Sequence, residues 1–210
     1  MRVLIVEDQQ IVAEALNTAL TVVDDDDIVG VCNTVADAVA LARAHQPDVV
    51  LMDYGLPDGN GVSAAEAIRA ERPETNVVII TGYEDDAILL RAIEAGCSGF
   101  VTKGQDVNTL VAALRAADAG EALIPPEMFT RLLPRLSPSY RGVGVDLTPR
   151  ELEVLQLLAE GVPNREIATR LGVQLTTARN HVQSILAKLG AHSKLEAVAI
   201  AYREGVIARP

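Results

Sequence analysis

The chain has 210 residues, 49% of them hydrophobic but only 3% aromatic, and a formal net charge of −11. This suits one or two domains with aliphatic cores, while the absence of any apolar stretch near the roughly 18 uncharged residues of a membrane helix excludes a spanning segment. Cys32 and Cys97 are the only cysteines; their apolar contexts point to free thiols in a reducing cytoplasm, not to a disulfide framework.

The charge is uneven. Residues 1–145 sum to −12 and residues 146–210 to +1. Within 162–194, Arg165, Arg170, Arg179, Lys188 and Lys194 face Glu166 alone. Two domains with different partners are expected.

The N-terminus, "MRVLIVEDQQ", reads as a first strand and does not resemble a secretory signal. Over the first 120 residues, five β-branched runs ("RVLIV", "IVGVC", "DVVLMD", "NVVII", "GFVTK") alternate with five Ala/Leu-rich segments of helical spacing. That alternation predicts a parallel sheet with helices on both faces, in the flavodoxin-like doubly wound order. The runs at 3–6, 49–52 and 77–80 are apolar without alternation, as central strands covered on both sides are. The acidic run Asp24–Asp27 precedes the second strand and reads as a solvated turn, at the edge opposite Asp53. His45 reads as an exposed helix-end residue.

From residue 121 to 146 the texture turns linker-like, with Pro125, Pro126, Pro134 and Pro138 and one short helical possibility at "EMFTRLLPRL". Residues 147–210 then predict an all-helical domain. Thr148, Pro149 and Glu151 form a capping box with Pro at the first helical position. Gly161, Gly172, Gly190 and Gly205 each follow a helix. The second and third helices, joined by a tight turn, read as a helix-turn-helix.

Acids and cations gather at the carboxyl ends of the predicted strands, where doubly wound sheets place function. The first strand ends in Glu7 and Asp8, the third in Asp53, the fourth in Thr81 and the fifth in Lys103. Carboxylates packed together repel unless a cation joins them, and a hard divalent ion with oxygen ligands solves that problem.

These residues, with Pro57 and Gly61 after Asp53, resemble the receiver domain of bacterial response regulators over residues 1–120. The resemblance implies Asp53 as phosphoacceptor for a sensor histidine kinase. It implies Mg²⁺ on Asp8, Asp53 and the Gly55 carbonyl, with Glu7 acting through water. Thr81 and Lys103 would bind the phosphoryl oxygens, and Phe100 would follow Thr81 as the switch aromatic. Glu7 stands for the more usual Asp, and Gly104 follows Lys103 where many receivers have Pro.

The string "LTPRELEVLQLLAEG…NREIATRLGV…TARNHVQSILAKLGAHSKLEAV" resembles the LuxR-type DNA-binding domain, and the pairing resembles the NarL/FixJ family. By that resemblance Arg179, Asn180 and Gln183 read bases, Thr177 and Lys188 hold phosphates, and Leu195, Val198 and Ala199 lie on a dimer helix. Gln174 replaces the usual Ser cap of the recognition helix, with Thr176 or Thr177 as substitutes.

The expectation is a cytoplasmic transcription regulator whose phosphorylation draws Thr81 and Phe100 inward and favours homodimers on inverted-repeat double-stranded DNA. It is expected not to be an enzyme beyond phosphotransfer to, and hydrolysis from, its own Asp53. Two other classes compete: a phosphorylation-independent DNA-binding protein with a structural acid pocket, and a Mg²⁺-dependent aspartyl-phosphate phosphohydrolase. The latter usually needs a second acid where this chain has Gly55.

Overall fold

The structure is a computed structural model, and it describes residues 1–24, 26–82, 85–121 and 147–207. The short helix expected within 121–146 lies outside those residues. The chain divides into two units, Met1–Ile124 and Pro125–Pro210.

In the first unit, β1 (Arg2–Val6), β2 (Asp27–Cys32), β3 (Val49–Asp53), β6 (Asn76–Thr81) and β7 (Gly99–Thr102) form one parallel sheet in the order β2-β1-β3-β6-β7. This is the flavodoxin-like order. Every residue of β3 is buried, as its unbroken apolar run requires of a central strand. The helices are α1 (Gln10–Asp24), α2 (Val35–His45), α3 (Gly61–Glu71), α4 (Asp86–Glu94) and α5 (Val107–Asp118). Val3, Ile5, Val49, Leu51 and Val78 from the strands and Leu110, Ala113 and Leu114 from α5 share one core cluster.

Helix starts follow the capping side chains. Thr34 accepts from Asp37 N (3.1 Å), Asn60 from Ser63 N (3.0 Å) and Asp106 from Thr109 N (3.1 Å). His45 is exposed in the last turn of α2, beside Arg43 in the favourable sign for the helix dipole. At the edge, β2 slips register against β1 between Val3 and Leu4, and Gly30 stands opposite Leu4.

Two local features differ from expectation. The loop after Asp53 contains a small antiparallel hairpin, β4 (Gly55–Leu56) and β5 (Gly59–Asn60). Its tip residue Asp58 accepts from Val35 N (2.7 Å) and Ala36 N (3.1 Å) and so caps α2 from a distance in sequence. The acidic run before β2 is not simply a solvated turn. Asp26 is buried, and its Oδ1 lies 3.3 Å from the Met1 ammonium. Parallel pairing of β1 with β2 brings the chain start there, and the backbone bond from Asp27 N to Met1 O fixes it.

Among its described residues the second unit has four helices, α6 (Pro149–Ala159), α7 (Asn164–Arg170), α8 (Leu175–Leu189) and α9 (Lys194–Arg203). The capping box is formed: Glu151 N donates to Thr148 Oγ1 (3.2 Å) and Thr148 N to Glu151 Oε2 (2.7 Å). Gly161, Gly172, Gly190 and Gly205 all take positive φ just past a helix end. Val154, Leu155, Ile167, Ala178 and Ile185 form the buried faces of α6, α7 and α8. No helix among the described residues is long and apolar enough to cross a membrane.

Candidate functional site

The topology puts the acids together. In this strand order the direction of chain winding reverses between β1 and β3, and the crevice beyond their carboxyl ends is the expected ligand site. Glu7 and Asp8 follow β1, and Asp53 ends β3. One carboxylate oxygen from each of Glu7, Asp8 and Asp53 lies within 4.8 Å of the other two. Glu7 and Asp53 are buried, while Asp8 is exposed.

Lys103, just after β7, reaches across this cluster. Its ammonium donates to Glu7 Oε1 at 2.8 Å, sits 2.8 Å from Glu7 Oε2, and lies 3.2 Å from Asp53 Oδ1. Its backbone is fixed by the bond from Lys103 N to Thr81 O (2.8 Å). Gln9 N also donates to Glu7 Oε1 (3.2 Å), while the buried Glu7 Oε2 has only its ion-pair contact with the same Lys103 ammonium. Burial raises the pKa of Glu7 above the usual carboxylate range, against the Lys103 hydrogen bond and with help from the Asp53 charge. Burial likewise raises Asp53, opposed by Lys103 and assisted by Asp8. For Lys103 burial pulls the pKa down, but Glu7 and Asp53 together leave it raised.

One ammonium is therefore shared by Glu7 and Asp53, with the Asp8 carboxylate close by. That donor set suits a hard divalent cation. Gly55, named as a backbone ligand, opens the hairpin and donates its N–H toward Asp53. Gly61 is required by space: a Cβ there would lie 2.2 Å from the Asp53 carbonyl oxygen and 2.8 Å from Met52 Cγ. Thr81 ends β6, the neighbour of β3, and is buried. Phe100 is among the largest fully buried side chains. Among the described residues there is no cis peptide bond, so the Lys103–Gly104 bond is trans.

In the second unit, α8 buries Ala178, Val182, Ile185 and Leu189 and exposes Thr177, Arg179, Asn180 and Gln183. The expected base readers thus share the solvent side of one helix. Gln174 is the N-cap residue without a side-chain cap bond, and neither Thr176 nor Thr177 replaces it.

Lys188 stands differently. Its ammonium donates to Glu151 Oε2 at 2.7 Å, and Ser184 Oγ donates to Glu151 Oε1 at 2.6 Å. Glu151, read from the sequence only as a capping residue, is buried and joins α6 to α8. The signal was present in sequence as Ser184 and Lys188 one turn apart, but only packing brings Glu151 to them. Although burial raises its pKa, the bonds from Lys188, Ser184 and Thr148 outweigh this and bring it down to about 2.

Leu195, Val198 and Ala199, expected on a dimer face, are each buried within the single chain.

Comparison with known proteins agrees with both units. Residues 3–115 match the response regulator receiver domain, and residues 145–201 match the luxR family of bacterial regulatory proteins. Transcriptional regulatory protein LnrK of Bacillus subtilis is 32% identical over 98% of this chain and 98% of its own. A LuxR-family two-component response regulator from Aurantimonas superposes with a TM-score of 0.60 at 31% identity, covering 64% of this chain and 96% of that one. RcsB, solved as two dimers bound to two parallel DNAs, gives 0.58 at 25% identity, covering 97% and 98%. An acidic pocket at the switch point of one unit and a polar recognition helix in the other are thus explained together: the chain belongs to the two-component response regulators that control transcription through a LuxR-type DNA-binding domain.

Proposed function

We propose that Asp53 accepts a phosphoryl group from a sensor histidine kinase and that this gates binding of Arg179, Asn180 and Gln183 to base edges. One observation carries the reading: Glu7, Asp8 and Asp53 converge within 4.8 Å around a single lysine. An Asp53 oxygen attacks phosphorus as the phosphorus–nitrogen bond to the kinase histidine breaks, giving an aspartyl phosphate. A carboxylate is a weak nucleophile, so the rate comes from position and charge neutralisation. Asp8, Asp53 and the Gly55 carbonyl would hold Mg²⁺, which supplies positive charge to the phosphoryl oxygens. Glu7 holds Lys103 ready beside Asp53, and Thr81 offers its hydroxyl from the next strand.

On DNA, Arg179 suits guanine and Asn180 and Gln183 suit adenine, while Thr177 holds a phosphate. RcsB binds DNA as dimers, and two copies of this chain on an inverted repeat follow by analogy. Such a dimer requires Leu195, Val198 and Ala199 to be uncovered, or another surface.

The test is retention of sheared genomic DNA by the full chain, with and without Mg²⁺ and a small phosphoryl donor, followed by sequencing. Inverted-repeat sites should be enriched only with the donor, and Asp53→Ala should take up no phosphoryl group and lose that enrichment. Equal enrichment by Asp53→Ala and by the unmodified chain would favour a regulator with a purely structural acid pocket.

A further inference from the structure

Among the described residues of the second unit, most cations already have partners or are buried. Arg150 is paired with Glu153 (2.7 Å) and donates to Leu171 O (2.5 Å). Arg170 is paired with Glu166 (2.6 Å) and Glu160 (3.6 Å), and Arg203 with Glu204 (3.1 Å). Lys194 is buried, and Lys188 is held by Glu151. Among the described residues of this unit, Arg165 and Arg179 are exposed and carry no carboxylate partner.

Glu151 is built for its task. Its two oxygens receive three donors from three places: Thr148 N before α6, and Ser184 Oγ and Lys188 Nζ one turn apart on α8. The Lys188 side chain keeps 33% of its exposure and that of Glu151 only 5%. A buried carboxylate cannot release its counter-cation without a large desolvation cost. A DNA phosphate at the surface competes poorly for that lysine.

We propose that Glu151 is a positioning residue of the recognition helix. It draws Ser184 and Lys188 inward, so that Lys188 neutralises a buried acid instead of a DNA phosphate, and among the described residues of α7 and α8 it leaves Arg165 and Arg179 as the exposed cations without a carboxylate partner. The inference rests on the DNA-binding reading given above. Each phosphate neutralised adds about 0.9 to the slope of log affinity against log salt, so a lysine withheld from phosphate makes the slope shallower by that amount.

The test is that slope, measured for the full chain on a duplex of random sequence. Lys188→Gln should leave the slope unchanged, because Lys188 contributes no phosphate contact. Arg165→Gln should flatten it by about 0.9 for each protomer. Glu151→Gln has one acceptor oxygen for three donors; it should release Lys188, steepen the slope by about 0.9 and narrow the ratio of specific to random affinity. A residue that only stabilised the fold would weaken both affinities without steepening the slope. Flattening by Lys188→Gln equal to that by Arg165→Gln overturns the inference, whether or not Glu151→Gln folds. Failure of the unmodified chain to bind any duplex would instead overturn the DNA-binding reading and this inference with it.

Discussion

Each unit buries one glutamate against one lysine, and the two pairs do opposite things. Glu7 and Lys103 meet at 2.8 Å, and Glu151 and Lys188 at 2.7 Å. Around Glu151 the donors suffice, and its carboxyl falls to about 2. Around Glu7 the one ammonium is shared with Asp53, Asp8 adds a third carboxylate close by, and the carboxyl is raised. A satisfied buried charge fixes structure, while an undersupplied one awaits a ligand. Counting donors separates a strut from a site where residue type does not.

Breaking the satisfied pair should have the larger effect on stability. Glu151→Ala strands Lys188, Ser184 and Thr148 N, and should destabilise the DNA-binding unit by about 3 kcal/mol in urea denaturation. The same contribution should vanish with acid. The folded carboxyl sits near 2 and the ordinary value is 4.5. Its stabilisation is therefore complete above pH 4.5 and lost as pH falls toward 2. Melting across that range should show a slope that Glu151→Gln lacks.

The undersupplied pocket should respond to a ligand instead. Mg²⁺ at a hundredfold excess over its Kd should stabilise the receiver by about 2.7 kcal/mol. Calorimetry should show that transition rising while the DNA-binding unit stays put, and Asp8→Asn should weaken the response. Gly61→Ala drives a methyl group against the Asp53 carbonyl and should cost the receiver about 2 kcal/mol with slower phosphoryl uptake. The smallest change should be a gain: Gln174→Ser supplies the cap that α8 lacks and should add up to about 1 kcal/mol to the DNA-binding unit.

Most of the fold was legible because its signals are local. Unbroken apolar runs mark β1, β3 and β6, and capping residues sit at Thr34, Asp106, Thr148 and Ser193. The strand-end acids were legible because topology carries strand ends to one edge. What escaped depends on partners far apart in sequence. Asp26 reads as one acid among four until strand pairing brings Met1 to it. Asp58 reads as a loop residue until the hairpin sets it over α2. The bond from Lys188 to Glu151 is likewise invisible in sequence, because only the packing of α8 against α6 brings the two together.

The slipped register between β1 and β2 has a consequence for solubility. β2 is an edge strand, and Val31 is 45% exposed on it. A regular edge of that composition would invite a strand from another molecule. The extra residue at the slip, Val29, interrupts the even pairing with β1, and exposed Asp27 puts a charge at the strand's entrance. Irregular hydrogen bonding of this kind twists an edge away from such pairing. The sheet is thereby protected from growing sideways into aggregates at the border where it has no sixth strand.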